Sequence, residues 1–222
     1  MNDESNSTER AGNAGSAPMV VHSAPFRVAA MVLAAGESSR MGADKASLGY
    51  CCSTFLETIL KTLGAAGLER VAVVLGHHAE EIQRALSLGA AEVVINHDYC
   101  RGQTSSLQAG LKALKSPELE AVVVCLVDHP AVRAQTLRRL VDSFRQSRAP
   151  VVIPTYQGRR GHPVVMAREL FEELDSLGPD AGANTVVRKH QAATQLVEVN
   201  DPGILLDVDD PESYRHLLSG RQ

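Results

Sequence analysis

Tryptophan is absent from this 222-residue chain, and only four phenylalanines and four tyrosines accompany its aliphatic residues. With 44% of residues apolar, the interior must be mainly aliphatic, which suffices for one α/β domain. Excess positive charge is also missing. Lys and Arg number 22 against 26 Asp and Glu, a net charge of −4, so no broad basic face advertises nucleic acid. No apolar run approaches the length needed to span a bilayer. Cys51, Cys52, Cys100 and Cys125 match neither a zinc nor a disulfide framework, so reduced thiols are expected. The first 25 residues, rich in Asn, Ser, Gly, Ala and Glu, have little to bury and lack the apolar core of a signal peptide. They are expected to form a disordered tail ahead of a domain spanning 26–222, in a soluble, cytoplasmic protein.

What is present is a rhythm. Runs at Val28–Ala34, Val71–Leu75, Val93–Ile95 and Ala121–Val127 are short, continuous and β-branched, as strands buried on both faces should be. Between them, Thr54–Ala66, Ala79–Leu88, Ser105–Leu114 and Thr136–Arg145 carry apolar residues at helical spacing. The alternation predicts a three-layer, doubly wound α/β fold with a mostly parallel sheet and ligands at the carboxyl ends of its strands. After Pro150 the rhythm breaks. Val151–Pro154 and His162–Met166 read as strands around a polar turn, expected as antiparallel additions to the sheet edge. A short helix over Asp180–His190, a strand over Gln195–Val199, an extended Ile204–Val208 and a helix from Pro211 complete the reading.

The densest signal is Leu33–Lys45, LAAGESSRMGADK, which leaves the first strand. Gly36 and Gly42, Ser38 and Ser39, and the cations Arg40 and Lys45 make a loop suited to phosphate. It is neither a P-loop, since Lys45 follows Asp44 and precedes Ala46, nor a dinucleotide fingerprint, since it holds only two glycines. Asp128 ends a buried strand, where a carboxylate can serve a metal–triphosphate or merely cap a turn. Asp207 and Asp209 alternate along LLDVDD and would share one side of an extended segment, while Asp210 before Pro211 reads as an N-cap. Gly102-Gln103-Thr104-Ser105-Ser106 opens an amphipathic helix and can cap it, bind ligand, or both. Asn96 reads unaided as a turn residue, and Gly161-His162-Pro163 as a tight turn beside the cations Arg159 and Arg160. His77-His78, His97, His129 and His162 show no ligand spacing with cysteines or acids, which argues against zinc and leaves His77-His78 on a solvated loop.

LAAGESSRMGADK resembles the signature of small-molecule nucleotidyltransferases. Asn96, RGQTSSLQAGL, CLVDHPAV, IPTYQGRRGHPVVM, DAGAN and LLDVDDPESY together resemble the molybdenum cofactor cytidylyltransferase branch. The resemblance runs from about Val28 onward. It implies a Rossmann-like nucleotidyltransferase fold and Mg²⁺-dependent transfer of CMP from CTP to molybdopterin, or molybdenum-molybdopterin, with release of pyrophosphate. Nucleotide contacts are implied for Leu33, Ala34, Ala35, Gly36, Ser38, Ser39, Arg40, Lys45, Gly102, Ser105 and Ser106. Acceptor contacts are implied for Asn96, Gly161 and His162, and metal contacts for Asp128 and Asp209. Arg40 is assigned to the β/γ-phosphates, Lys45 to the α-phosphate, and Arg40, Lys45 and Asp128 to catalysis. Ala35, where guanylyl-transferring relatives carry a second glycine, favours CTP over GTP. Two departures stand out: His129 replaces an expected polar residue such as Gln, and Asn184 an expected Arg. A molybdoenzyme is an implied transient partner. A phosphorylated sugar or polyol acceptor, and a non-catalytic cofactor carrier or insertion chaperone, are the competing readings.

Overall fold

A computed structural model of the chain describes Met1, residues 27–178 and residues 181–220. The expected tail, Met1 apart, and Asp180 of the DAGAN run lie outside the described residues. In chain order the elements begin with β1 (Arg27–Ala34), a small hairpin of β2 (Gly49–Tyr50) and β3 (Ser53–Thr54), and α1 (Phe55–Ala65). They continue with β4 (Val71–Leu75), α2 (Ala79–Ala85), β5 (Glu92–Ile95), α3 (Gln103–Leu114), β6 (Leu119–Leu126) and α4 (Ala134–Ser147). The last third holds β7 (Val151–Tyr156), β8 (Arg159–Arg160), β9 (Val164–Ala167), α5 (Phe171–Asp175), α6 (Asn184–Lys189), β10 (Gln195–Glu198) and α7 (Pro211–Ser219).

The main sheet runs β10-β7-β9-β6-β1-β4-β5, with β8 paired to β7. β6, β1, β4 and β5 are parallel neighbours, and β10 is parallel to β7. Alternation along β1 explains the three layers. Ala30, Val32 and Ala34 face one core with Leu56, Leu63, Leu137 and Leu140 of α1 and α4. Ala29, Met31 and Leu33 face the other with Leu107, Leu111 and Leu114 of α3 and Leu174 of α5. Gly110 lets α3 lie close, since a Cβ there would stand 2.9 Å from Val74 Cγ2 and 3.1 Å from Met31 Sδ.

Two expectations are corrected. The antiparallel addition is not at the edge: β9 lies between β6 and β7, antiparallel to both, and β10 is the border strand. All four residues of Val164–Ala167 are buried, and such a segment needs sheet on both sides and cover on both faces. Nor is Ile204–Val208 extended throughout. Asp201 accepts from Gly203 N and caps a single 3₁₀ turn, Pro202–Leu205. Asp201 also accepts from Arg133 N at 2.9 Å and Thr136 Oγ1 at 2.6 Å, so its buried carboxylate ties this turn to the start of α4.

The last helix, α7, anchors the acidic segment ahead of it. Asp210 accepts from Glu212 N and Ser213 N, as the N-cap reading expects, and Leu217 packs with Tyr50, Phe55 and Val208. Phe55 meets Tyr50 and Tyr214 edge-on at 5.9 and 5.8 Å, and Tyr214 donates to Gly49 O at 2.8 Å. Val208 N donates to Asp128 O at 3.0 Å, which lays the acidic segment against the end of β6. No helix among the described residues is long and apolar enough to cross a membrane.

Candidate active site

The carboxyl ends of β1 and β6 open into a cleft of about 270 Å³. It is lined by loop residues Ala34, Ala35, Gly36, Ser38, Ser39, Arg40 and Lys45, together with Leu33, Gly102, Ser106, Asp128 and Asp209. The loop is closed on itself, because Met41 N and Gly42 N both donate to Ser38 O, at 2.9 and 3.2 Å. Ser38 Oγ accepts from Lys45 N at 3.2 Å, joining the loop's middle to its end.

Lys45 is the hub of the cleft. Its Nζ donates to Asp209 Oδ1 at 2.6 Å and to Asp128 Oδ2 at 3.3 Å, with only 11% of its side chain exposed. Arg40 reaches the other oxygen of Asp209 at 2.8 Å from a largely exposed position. Hydrogen bonding by Lys45, reinforced by its charge and that of Arg40, holds the Asp209 carboxyl below its ordinary pKa. Asp209 is therefore ionised at neutral pH. Asp207, its partner in the alternation argument, is exposed instead, because the segment is not a regular strand.

Ser105 and Asn96 stand apart from this lining. Asn96 is buried, and its Nδ2 donates to Ser105 Oγ at 2.9 Å and Ser106 Oγ at 3.0 Å while its Oδ1 accepts from Asp98 N. Ser105 Oγ donates within the same turn, to Asp98 O and Gly102 O. These side chains brace the start of α3. Tyr99, Gln103, Ile82, Asp44 and Val127 line the cleft although nothing in the sequence marked them as ligand contacts. Asp44, Gln103 and Val127 lay inside recognised motifs, whereas Ile82 and Tyr99 lay outside them.

A second cleft, about 570 Å³, adjoins the first and shares Leu33, Gly102, Gln103 and Leu126 with it. Gly161 and His162 line it, with Arg160, Met166, Asn184 and Val187. One wall is tied to α3, where Thr104 Oγ1 donates to Ala181 O at 2.9 Å. Burial lowers the His162 pKa to about 4, with the charge of His129 adding to the effect, so its imidazole is neutral at pH 7. Burial likewise pushes His129 below its ordinary value. The two rings stand 5.2 Å apart, and His129 Nε2 lies 3.9 Å from Asp128 Oδ1. Asp128 Oδ1, His129 Nδ1 and His162 Nδ1 are buried atoms with no hydrogen-bond partner among the described residues.

The fold brings to His77-His78 an acid that sequence spacing does not show. Asp44, 34 positions before His78, brings its Oδ2 to within 2.9 Å of His78 Nδ1. The two imidazoles stack at 3.8 Å, and His77 Nδ1 is 3.4 Å from the Tyr99 hydroxyl.

Comparison with known proteins fits this geometry. The chain is 32% identical to nicotine blue oxidoreductase of Paenarthrobacter nicotinovorans, over 86% of this chain and 96% of that one. It is 25% identical to molybdenum cofactor cytidylyltransferase of Escherichia coli, over 83% and 92% respectively. The crystal structure of Rv0371c from Mycobacterium tuberculosis superposes with a TM-score of 0.77 at 32% identity, covering 87% of this chain and 98% of that one. Residues 30–194 match the MobA-like NTP transferase domain, and the chain belongs to that family.

Proposed function

We propose that the protein transfers a cytidylyl group from CTP to molybdopterin, or to its molybdenum-loaded form, with Mg²⁺, and releases pyrophosphate. The observation that carries this reading is Lys45 held between Asp128 and Asp209 beside a loop rich in backbone donors. Such a set has no use in a passive carrier. It has a clear use where a triphosphate must be bound and charge on a departing pyrophosphate must be neutralised.

The acceptor's phosphate monoester is already a nucleophile at neutral pH, so no general base is required. One of its oxygens attacks the α-phosphorus, the bond to the bridging oxygen of the β-phosphate breaks, and pyrophosphate leaves with the electron pair. Lys45 is poised for the α-phosphate, and Arg40, at the cleft mouth, for the β- and γ-phosphates. Asp128 and Asp209 suit Mg²⁺, which takes hard oxygen ligands and only one or two from protein. The orphaned, buried Oδ1 of Asp128 favours a cation at that point. Bound there, Mg²⁺ would neutralise triphosphate charge.

The adjoining cleft supports an extended acceptor. Gly161, neutral His162 and the cation Arg160 face it, a mixture suited to a heterocycle bearing a phosphate. The preference for CTP rests on Ala35 in place of glycine. Ala35 borders the nucleotide cleft but is only 4% exposed, so its contribution to base selection is small, a few kcal/mol at most.

The test is one incubation series: protein, Mg²⁺, each of CTP, GTP and ATP, and a panel of phosphorylated acceptors including molybdopterin, monitored for pyrophosphate. Release with CTP and molybdopterin is expected. Release only with a sugar or polyol phosphate would move the acceptor assignment. Absence of release with tight pterin binding would favour a carrier. Because a relative bears an oxidoreductase name, a parallel arm follows oxidation of reduced nicotinamide cofactors. Turnover in that arm alone would overturn the transferase reading.

A further inference from the structure

Outside the lysine–carboxylate set, one cluster of side chains among the described residues has the composition of a metal site. A carboxylate oxygen of Asp44 and one ring nitrogen from each of His77 and His78 all lie within 4.8 Å of one another. Two imidazoles and a carboxylate form a borderline donor set, which suits zinc-like transition ions better than Mg²⁺. Three protein ligands with a remaining open position is a common pattern for such ions.

The backbone goes out of its way to build this cluster. Neighbouring residues of an extended segment point to opposite sides, so consecutive histidines would ordinarily diverge. Here His78 adopts φ +49°, in the left-handed region that non-glycine residues rarely occupy. The two rings stack at 3.8 Å and are tilted by 35°, on the side from which Asp44 approaches. His78 stands at the N-cap of α2, yet its side chain makes no capping bond there and is directed to Asp44 instead. Held strain of this kind, with no helix-capping use, points from geometry to function.

The surroundings fit a cation. Glu81 Oε2 is 3.8 Å from His78 Nδ1, which adds a second negative charge at the edge of the cluster. The Tyr99 hydroxyl, 3.4 Å from His77 Nδ1, can orient that ring, the role outer hydrogen-bond partners play around metal-binding histidines. Ligand atoms about 2.1 Å from a tetrahedral ion stand about 3.4 Å apart, so small side-chain rotations would close the set. The half-buried Asp44 and His77 and the exposed His78 have room to make them.

We propose that Asp44, His77 and His78 bind a divalent transition-metal ion of the zinc class, separate from the Asp128–Asp209 pair. Asp44 immediately precedes Lys45 and lines the nucleotide cleft, so the ion would fasten the end of the phosphate loop to the turn between β4 and α2. The site does not depend on which nucleotide or acceptor the enzyme uses.

The test uses untagged full-length protein stripped by a chelator and titrated with Co²⁺ in excess Mg²⁺, read by visible absorption and calorimetry. One equivalent is expected to bind, with a ligand-field band that Zn²⁺ abolishes by displacement. The Asp128→Asn/Asp209→Asn double variant should keep this binding. His77→Ala/His78→Ala should weaken it by more than about a hundredfold, since losing an outer partner alone costs ten- to a hundredfold. Should that variant fail to fold, His78→Asn preserves a residue tolerant of the left-handed conformation and should show the same direction of loss. Crystals of the wild type soaked in Co²⁺ should give an anomalous peak among the three side chains. Failure of Co²⁺ to bind in excess Mg²⁺, undiminished affinity in both histidine variants, or a peak elsewhere would each overturn the proposal.

Discussion

Lys45 and Asp209 are 164 positions apart in the chain and 2.6 Å apart in the fold. The pair joins the loop after the first strand to the segment that precedes the last helix. Asp128, from the end of β6, completes a triangle around the same ammonium. Three remote stretches of sequence thus meet at one nitrogen, and this meeting can be interrogated residue by residue.

Lys45→Ala should lower kcat by about a hundred- to a thousandfold, the cost of deleting a buried electrostatic donor. Arg40→Ala should fall at the lower end of that range, because its guanidinium is 71% exposed and screened by water. Steady-state pyrophosphate release separates the two. Equal, minor losses would remove both from the chemistry.

Asp128→Ala should abolish turnover with every acceptor and remove the Mg²⁺ dependence of nucleotide binding. Calorimetric titration of CTP with and without Mg²⁺ reads this directly. A variant that still binds nucleotide more tightly with Mg²⁺ would transfer the metal role to another residue.

His162→Ala should raise the KM for the acceptor while leaving CTP affinity nearly unchanged, since His162 lines the second cleft and not the first. Equilibrium binding of CTP beside acceptor-dependent kinetics makes the comparison. A matched loss of both affinities would point to a collapsed site.

Glu57→Ala should destabilise the fold by about 1 kcal/mol, the scale of a lost helix cap. Glu57 Oε2 accepts from Thr54 N and from the hydroxyls of Ser53 and Thr54, while Oε1 accepts from Ser87 N. The bond from Ser87 N is the largest cause, followed by the hydroxyls, and together they lower the Glu57 pKa from 4.5 to about 2. A depressed folded-state pKa means the contribution is fully present above pH 4.5 and disappears as pH falls toward 2. Urea melts at neutral and acidic pH should show the gap between wild type and variant narrowing on acidification.

Gly161→Ala should be strongly destabilising or shift the acceptor strand, because the new methyl would meet the backbone carbonyl of Ile204. His162 N donates to that same carbonyl at 3.0 Å, so the approach is held in place. Thermal denaturation and acceptor KM should both move. An unchanged melting temperature would show that the turn at residues 202–205 can retreat at little cost.

The parallel half of the fold was legible because strands buried on both faces leave an unbroken β-branched record, as at Val71–Leu75 and Ala121–Leu126. The position of β9 was not legible. A run such as Val164–Ala167 records that it is buried, not which strands cover it. In the site, LAAGESSRMGADK announced its loop through composition, whereas Asp44 with His77-His78 left no spacing to find, because the fold alone unites them. Asn96 is ambiguous for a related reason. Its resemblance to a ligand contact and its use as a brace for Ser105 and Ser106 look identical in one dimension.

The way Asp209 reaches Lys45 also bears on how the protein comes into being. A chain emerging from the ribosome presents its phosphate loop early, yet lacks the closing acid until the segment beyond residue 206 has been synthesised and seated against Phe55 by α7. That seating rests on a small apolar patch apart from the two larger cores, so it can open while the sheet stays intact. Nucleotide turnover would then be silenced by the detachment of one short helix, well before global unfolding. Activity would act as a sensor of finished assembly, and cellular proteases would meet an inactive but still largely folded enzyme.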